Sequence, residues 1–477
     1  DTLLALLQSV RTADLTPAER GLLRRAVLSP ATQPRGELAE ALLAERARLM
    51  LELGEARAAA ALAPQLKQDP RGLNAETLAV DLDMASGREA SACNALSGPV
   101  KEGVYWLKLR AVCAVLQDNY AGAQLAIEFA AAQGVSDDWM VEAIFAAAGD
   151  SPNAPNARFD SGLNIALSSK AELDSTRVTF AGDRPDLAAA AAQRPGVPND
   201  LRARFAEIAA EFDLISAEDR RDILLSRLED PEYTASSNIE QSLRDLTDPL
   251  VDDETRATGL YSVLETASRS DLARYRSTAQ LFLEDLGALP QNDITAPYAL
   301  DYARAAMMGG DRALAMSWLG ALEIEGVEAP EPYEIAVLEA VDIMAGGDAS
   351  PASLRAVEKR LVTTADTTPK EIQAVSILTS WTGLGLSLTP VGRDFVSQAV
   401  DRGIRIPQGQ LTSLKAAAQS DAVGEAAMMV LAITNGKSNE LAPVDFAAVL
   451  ETLRAMDADE IARELAMENA NYWKTPE

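Results

Sequence analysis

Histidine is absent from this chain of 477 residues. That absence removes the Ser–His and Cys–His dyads, His-ligated zinc and haem, and the commonest general base near neutral pH. Cysteine is nearly absent too: Cys93 and Cys113 are the only two, and they lack the C-x-x-C spacing of a redox pair. Aromatic residues make up 5% of the chain, so its apolar share rests on Ala and Leu. Both are strong helix formers, and runs of β-branched residues are rare, which points to an all-α chain. No run of eighteen apolar residues occurs, so no segment reads as a membrane-spanning helix. Basic residues are few, 43 against 72 acids, for a formal net charge of −29. Such a surface repels phosphate backbones and anionic lipid heads, which argues against nucleic acid and leaves a basic protein surface as the complementary partner.

The motifs of common chemistries are missing as well. Neither G-x-S-x-G nor S-x-x-K occurs, which removes two serine-nucleophile signatures. There is no D-x-D-x-D-G calcium loop; Asp248, Asp252, Asp253 and Glu254 cluster in a segment that reads as a solvated loop and helix start. Asn435–Ser438, "NGKS", matches the end of a phosphate-binding loop, but Leu431 stands where the motif needs glycine. Gly383–Gly385, "GLG", lacks the third glycine of a dinucleotide loop and reads as a helix end. The 72 acids offer many carboxylate pairs, and nothing singles out one for glycoside cleavage. No catalytic residue, metal site or cofactor is expected.

What the sequence does carry is a beat of small residues. A Gly or Asp at a predicted turn is followed five residues later by Ala, in Gly54/Ala59, Gly87/Ala92, Asp118/Ala123, Gly310/Ala315, Gly347/Ala352 and Asp457/Ala462. Twelve residues before those alanines stand Ala47, Val80, Ala111, Ala303, Ala340 and Leu450. Small positions on both sides of a turn let antiparallel helices approach closely, the logic of a stacked helix-hairpin repeat. The expected fold is therefore an α-solenoid of helix hairpins, with Ala59, Ala92, Ala123, Ala315 and Ala352 as packing residues.

Composition breaks divide the chain into three. Residues 1–148 read as an N-terminal hairpin array. Residues 149–200 read as an irregular bridge, rich in Pro and Asn at "DSPNAPNARFDSG" and "RPGVPND", with short helices at 162–171 and 185–193. Residues 201–477 read as a C-terminal array. Ala59, Ala92 and Ala123 lie 33 and 31 residues apart, close to the tetratricopeptide period of about 34. With Asp118-Asn119-Tyr120 at a turn and Ala111, Ala123 and Ala130 at small positions, this segment resembles that family.

Cys93 and Cys113 fall on consecutive predicted helices. If those helices are antiparallel, a disulfide is within reach; it would imply an oxidising compartment, the periplasm in a bacterium. The alternative is a pair of buried free thiols. The chain starts at Asp1 rather than Met, and removal of an export segment is the expectation drawn from that. Tyr298, Tyr302, Trp318 and Tyr333 form an aromatic group in the second array, to be read either as a partner-binding face or as core. The segments Cys93–Ala126 and Leu450–Ala470 are similar to uncharacterised exported Ala-rich helical proteins of alphaproteobacteria, a resemblance that brings no established activity. The expectation is a non-catalytic scaffold in an envelope assembly, such as a flagellar motor, secretion or export accessory, or one that assembles with its own copies. The alternative is a cell-wall glycosidase resembling a lytic transglycosylase with a solenoid body.

Overall fold

The computed structural model describes residues 2–30, 35–66, 75–149, 154–180, 184–229, 233–324, 326, 328–400 and 402–474. Two compact units emerge: Asp1–Pro30 with Pro231–Glu477, the terminal unit, and Ala31–Asp230, the internal unit. The chain begins in the terminal unit with α1 (Thr2–Ser9) and α2 (Pro17–Leu28). The internal unit holds α3 (Ala39–Glu52), α4 (Ala56–Leu62), α5 (Ala75–Ala85), α6 (Glu89–Asn94), α7 (Val104–Leu116), α8 (Tyr120–Ala132), α9 (Asp138–Ala147), α10 (Gly162–Lys170), α11 (Pro185–Gln193), α12 (Asn199–Glu211) and α13 (Ala217–Leu228). The terminal unit resumes with α14 (Asn238–Thr247), α15 (Asp253–Ser268), α16 (Leu272–Leu281), α17 (Leu283–Ala288), α18 (Ala299–Gly309), α19 (Arg312–Ala321) and α20 (Pro332–Met344). It ends with α21 (Pro351–Thr364), α22 (Thr368–Gly383), α23 (Pro390–Gln398), α24 (Gln408–Gln419), α25 (Val423–Thr434), α26 (Pro443–Ala455) and α27 (Asp459–Asn469). Among the described residues the only strands are β1 (Arg158–Phe159) and β2 (Thr179–Phe180), paired in parallel with Phe159 opposite Phe180. The fold is all-α and built of stacked helix hairpins.

Local chemistry sets the helix starts. Ser161, Ser216, Ser237, Asp252, Asp271 and Asp311 each accept an N–H of the first turn, and Pro17, Pro185, Pro332, Pro351, Pro390 and Pro443 occupy first helical positions. Both devices satisfy or remove main-chain donors that the helix cannot pair. Asp252 is thus a cap, and the loop before it has the role read from its sequence.

The small-residue beat has a backbone cause. Gly54, Gly87, Asp118, Gly310 and Asp457 have φ of 82°, 76°, 58°, 95° and 56°, the left-handed conformation that ends a helix and reverses the chain. Ala47 and Ala59 flank such a turn on helices packed together, both fully buried or nearly so, and the same holds for Ala111 with Ala123 and Ala303 with Ala315. Ala92 and Ala462 are buried too. The α20–α21 hairpin departs from the pattern. Gly346, not Gly347, takes the left-handed turn, and α21 starts only at Pro351. Ala352 is therefore exposed in the first turn, and Leu354, Val357 and Leu361 make the buried face, which corrects its reading as a packing residue.

The segment 149–200 is not a bridge between halves. Its short helices lie where expected, as α10 and α11, but Phe159, Leu163, Ile165, Ala166, Leu187 and Ala188 share one core with Trp106, Leu109, Val112 and Phe205. Polar side chains fix it there. Asp81 of α5 accepts the Gly162 and Leu163 N–H groups at 2.9 and 3.3 Å, capping α10 from another helix. Burial pushes the Asp81 carboxyl up, opposed by those two N–H groups and by Arg184. Arg194 of "RPGVPND" pairs with Glu89 and donates to the Met84 carbonyl. Breaks in helix signal an irregular path and say nothing about packing, so the compact units divide near residues 30 and 230 rather than at 148 and 200. Asp150–Asn153 of the Pro-rich stretch lie outside the described residues.

Cys93 on α6 and Cys113 on α7 stand with sulfurs 1.96 Å apart and Cα atoms 5.8 Å apart, forming a disulfide. Loop closure of this length contributes about 3 kcal/mol. Reduction is expected to lower the denaturation midpoint, measured by circular dichroism with and without reductant. Replacing Ala59 or Ala123 by Leu is expected to cost about 1–3 kcal/mol by overpacking a hairpin. Ala352→Leu, at an exposed position, is expected to change stability by less than about 0.5 kcal/mol. Urea titration of the three variants checks the contrast.

Candidate functional site

The most unusual chemistry of the molecule lies where α2 meets α25 and α27 inside the terminal unit. Thr16 caps α2 in a reciprocal box: its hydroxyl accepts the Glu19 N–H at 3.3 Å, and the Glu19 carboxylate accepts the Thr16 N–H at 2.9 Å. The same carboxylate accepts the Gly436 N–H at 3.1 and 2.9 Å to its two oxygens. One buried acid therefore closes the start of α2 and the turn after α25. That turn is "NGKS". Asn435 and Gly436 are both left-handed, at φ 43° and 75°. A β-carbon on Gly436 would stand 1.9 Å from the Asp14 carbonyl oxygen. The glycine is required by this close approach, and its N–H, which a nucleotide site would turn to phosphate, is occupied by Glu19.

Glu468 on α27 is the second buried acid. Its Oε1 accepts the Ala18 N–H at 2.8 Å, satisfying another first-turn donor of α2, while Oε2 is buried without a hydrogen-bond partner among the described residues. Burial pushes its carboxyl up to about 8; the negative charge of Glu19 adds to the rise, and the Thr16 hydroxyl, the Ala18 N–H and Arg276 oppose it. Burial raises Glu19 as well, against hydrogen bonds from Thr434, Thr16 and Gly436. A cavity of about 130 Å³ lies alongside, lined by Arg276, Met307, Met308, Glu464, Met467 and Tyr472 among others. Burial thus favours the neutral form of Glu468, yet its geometry is that of a helix cap held within packed helices.

The aromatic group is core rather than surface. Tyr302, Trp318 and Tyr333 are at most 1% exposed, so three of the four residues read as a partner face cannot touch a partner. They tie helices together instead. Tyr302 donates to the Ala257 carbonyl at 2.7 Å, Trp318 to Leu286 at 3.2 Å, and Tyr333 to Lys370 at 2.7 Å. Only Tyr298 is partly exposed; it stacks on Tyr261 at 4.9 Å and lies 6.0 Å from Tyr302, which meets Trp318 edge-on at 4.9 Å. Helical spacing alone does not separate these roles; the hydrogen bond of each polar tip to a neighbouring helix does.

Gly383 closes α22 and Gly385 takes a left-handed φ of 79°, a helix end as read. Among the described residues no group of three or more Cys, Asp and Glu is placed to hold a metal ion, and no helix is long and apolar enough to cross a membrane. Sequence reasoning passed over Glu19 and Glu468. The box at Glu19 is visible as Thr16-x-x-Glu19 at the start of α2, whereas the partner for Glu468 lies 450 residues away in sequence. Comparison with protein-family models, with curated proteins and with solved structures found no match.

A carboxyl raised from 4.5 to about 8 carries a proton in the folded state that the unfolded chain has lost. Its contribution is fully present below about pH 4.5, falls as pH rises through 8, and is level above that. Glu468→Gln is expected to flatten this part of the profile, so that the variant gains on the parent as pH rises from 5 to 9. Denaturation midpoints of both proteins at matched pH values measure it.

Proposed function

We propose that this chain is a non-catalytic scaffold or adaptor that works by binding another protein in a bacterial envelope assembly. The observation that carries the reading is a fold of stacked helix hairpins whose polar and aromatic side chains are spent on tying helices to each other. Asp81, Glu19 and Glu468 cap helices, and Tyr302, Trp318, Tyr333 and Trp381 donate to main-chain carbonyls. Such arrays hold long surfaces in a fixed shape, which suits recognition of a macromolecule. The charge of −29 adds attraction toward a basic partner and sets copies of the chain against one another. The Cys93–Cys113 disulfide favours an oxidising compartment, and the periplasm is the compartment proposed. Flagellar motor, secretion and export machines are the candidate assemblies.

A second reading, a cell-wall glycosidase or lytic-transglycosylase-like enzyme, has one observation in its favour. Burial raises the Glu468 carboxyl beside a cavity, a shift in the direction that suits a general acid. Against it, the acid is taken up by the Ala18 N–H within the helix packing.

Gentle extraction at low and high salt followed by size analysis tests the scaffold reading. A larger complex at low ionic strength that dissociates at high salt is the expected result. Incubation with purified cell wall is expected to release no fragments. Fragments that vanish in Glu468→Gln, with the parent chain running alone at both salts, would transfer the assignment to the enzyme.

A further inference from the structure

One helix of the internal unit is apolar on the wrong side. Ala123, Ala126, Ile127 and Ala130 of α8 are buried, as an amphipathic helix requires. Yet its opposite face exposes Ala121, Leu125, Phe129 and Ala132, with Leu125 at 55% and Phe129 at 57%. These follow the i, i+4 spacing of one stripe, and Glu128 is the only charged residue of α8. The next helix, α9, packs against α8 and exposes Asp138, Glu142 and Phe145, the last at 38%. A helix apolar all round is ordinarily enclosed, and adjacent exposed aromatics and aliphatics mark interaction surfaces.

Charge says what covers it. Residues 111–157 contain six acids and no Lys or Arg. Two of those acids are already paired from outside, Asp137 by Lys108 at 2.5 Å and Asp118 by Lys170 at 2.9 Å. Glu128, Asp138 and Glu142 have no basic partner among the described residues; Asp138 accepts only the Ser136 hydroxyl at 2.8 Å. The surface therefore joins an apolar stripe to uncompensated negative charge. A second copy would set acid against acid, and an anionic bilayer would be repelled. We propose that α8 and α9 form the docking surface for an amphipathic helical segment of a partner protein, apolar on the face it presents to Leu125 and Phe129 and flanked by Lys or Arg that meet Glu128 and Glu142. This rests on the scaffold reading and gives its partner a chemistry: apolar anchors supply most of the affinity, and the charges supply the approach.

The test uses the full chain and a labelled eighteen-residue Leu/Lys amphipathic helical peptide, followed by fluorescence anisotropy at several salt concentrations. Leu125→Ala with Phe129→Ala is expected to weaken binding tenfold or more. Glu128→Lys with Glu142→Lys is expected to weaken it at low salt and to reduce its salt dependence. Leu250→Ala, at a 92% exposed position of the terminal unit, is expected to change nothing. All these residues are on the surface, so circular dichroism of each variant should match the parent. Equal, salt-dependent binding by parent and both α8–α9 variants would overturn the surface while leaving the scaffold reading intact. A partner-free chain in native extract would instead remove the scaffold reading. Sedimentation that shows a dimer lost on Phe129→Asp would overturn the basic partner in favour of a second copy.

Discussion

Everything in this molecule depends on how closely two antiparallel helices can approach beside a turn. Small side chains are buried on both helices of such hairpins: Ala47 and Ala59, Ala111 and Ala123, Ala303 and Ala315. Close approach brings the backbones together, and dispersion between well-packed atoms then does what a larger aliphatic core does elsewhere. It also explains the scarcity of aromatics. Where a large ring does occur, as at Tyr302 or Trp381, it fills the gap between hairpins and fastens its polar tip to the next helix.

Helix caps extend this economy over long range. Three acids on three different helices satisfy main-chain donors elsewhere in the chain: Asp81 for α10, Glu468 for α2, and Glu19 for the turn after α25. A buried carboxylate bound by main-chain N–H groups costs desolvation, visible in the upward shifts of all three. What it contributes is selectivity of pairing, because a helix end packed against the wrong neighbour would leave donors unmet in a dry interior.

The hairpin architecture was legible in the sequence because its causes are local. A Gly or Asp with left-handed backbone and small residues at fixed offsets leave a mark within about thirty residues, and the acidic cluster ending in Asp252 and Asp253 marks the start of α15. Where local causes failed, the reading failed. Gly346 and Gly347 are adjacent, and only tertiary packing decides which one turns, so Ala352 was misplaced. Residues 149–200 look like a linker because Pro and Asn break helices there, whereas Phe159 and Leu187 are buried by partners distant in sequence. The meeting of α2 with α25 and α27 was invisible for the same reason, and the exposed stripe on α8 could not be told from core by spacing.

The pairing of α2 with α25 and α27 also has a consequence in time. A chain made or threaded from its first residue onward can form the hairpins α3–α4 and α7–α8 as soon as they appear, since their contacts are short in sequence. Residues 17–28 cannot do so. Their buried face, with Leu22, Leu23 and Val27, must stay without its native cover until some four hundred further residues have followed. The cover of α2 is therefore completed in two steps, by α25 and then by α27, and a chain lacking α27 would keep the Glu19–Gly436 tie while leaving the Ala18 N–H without its Glu468 acceptor.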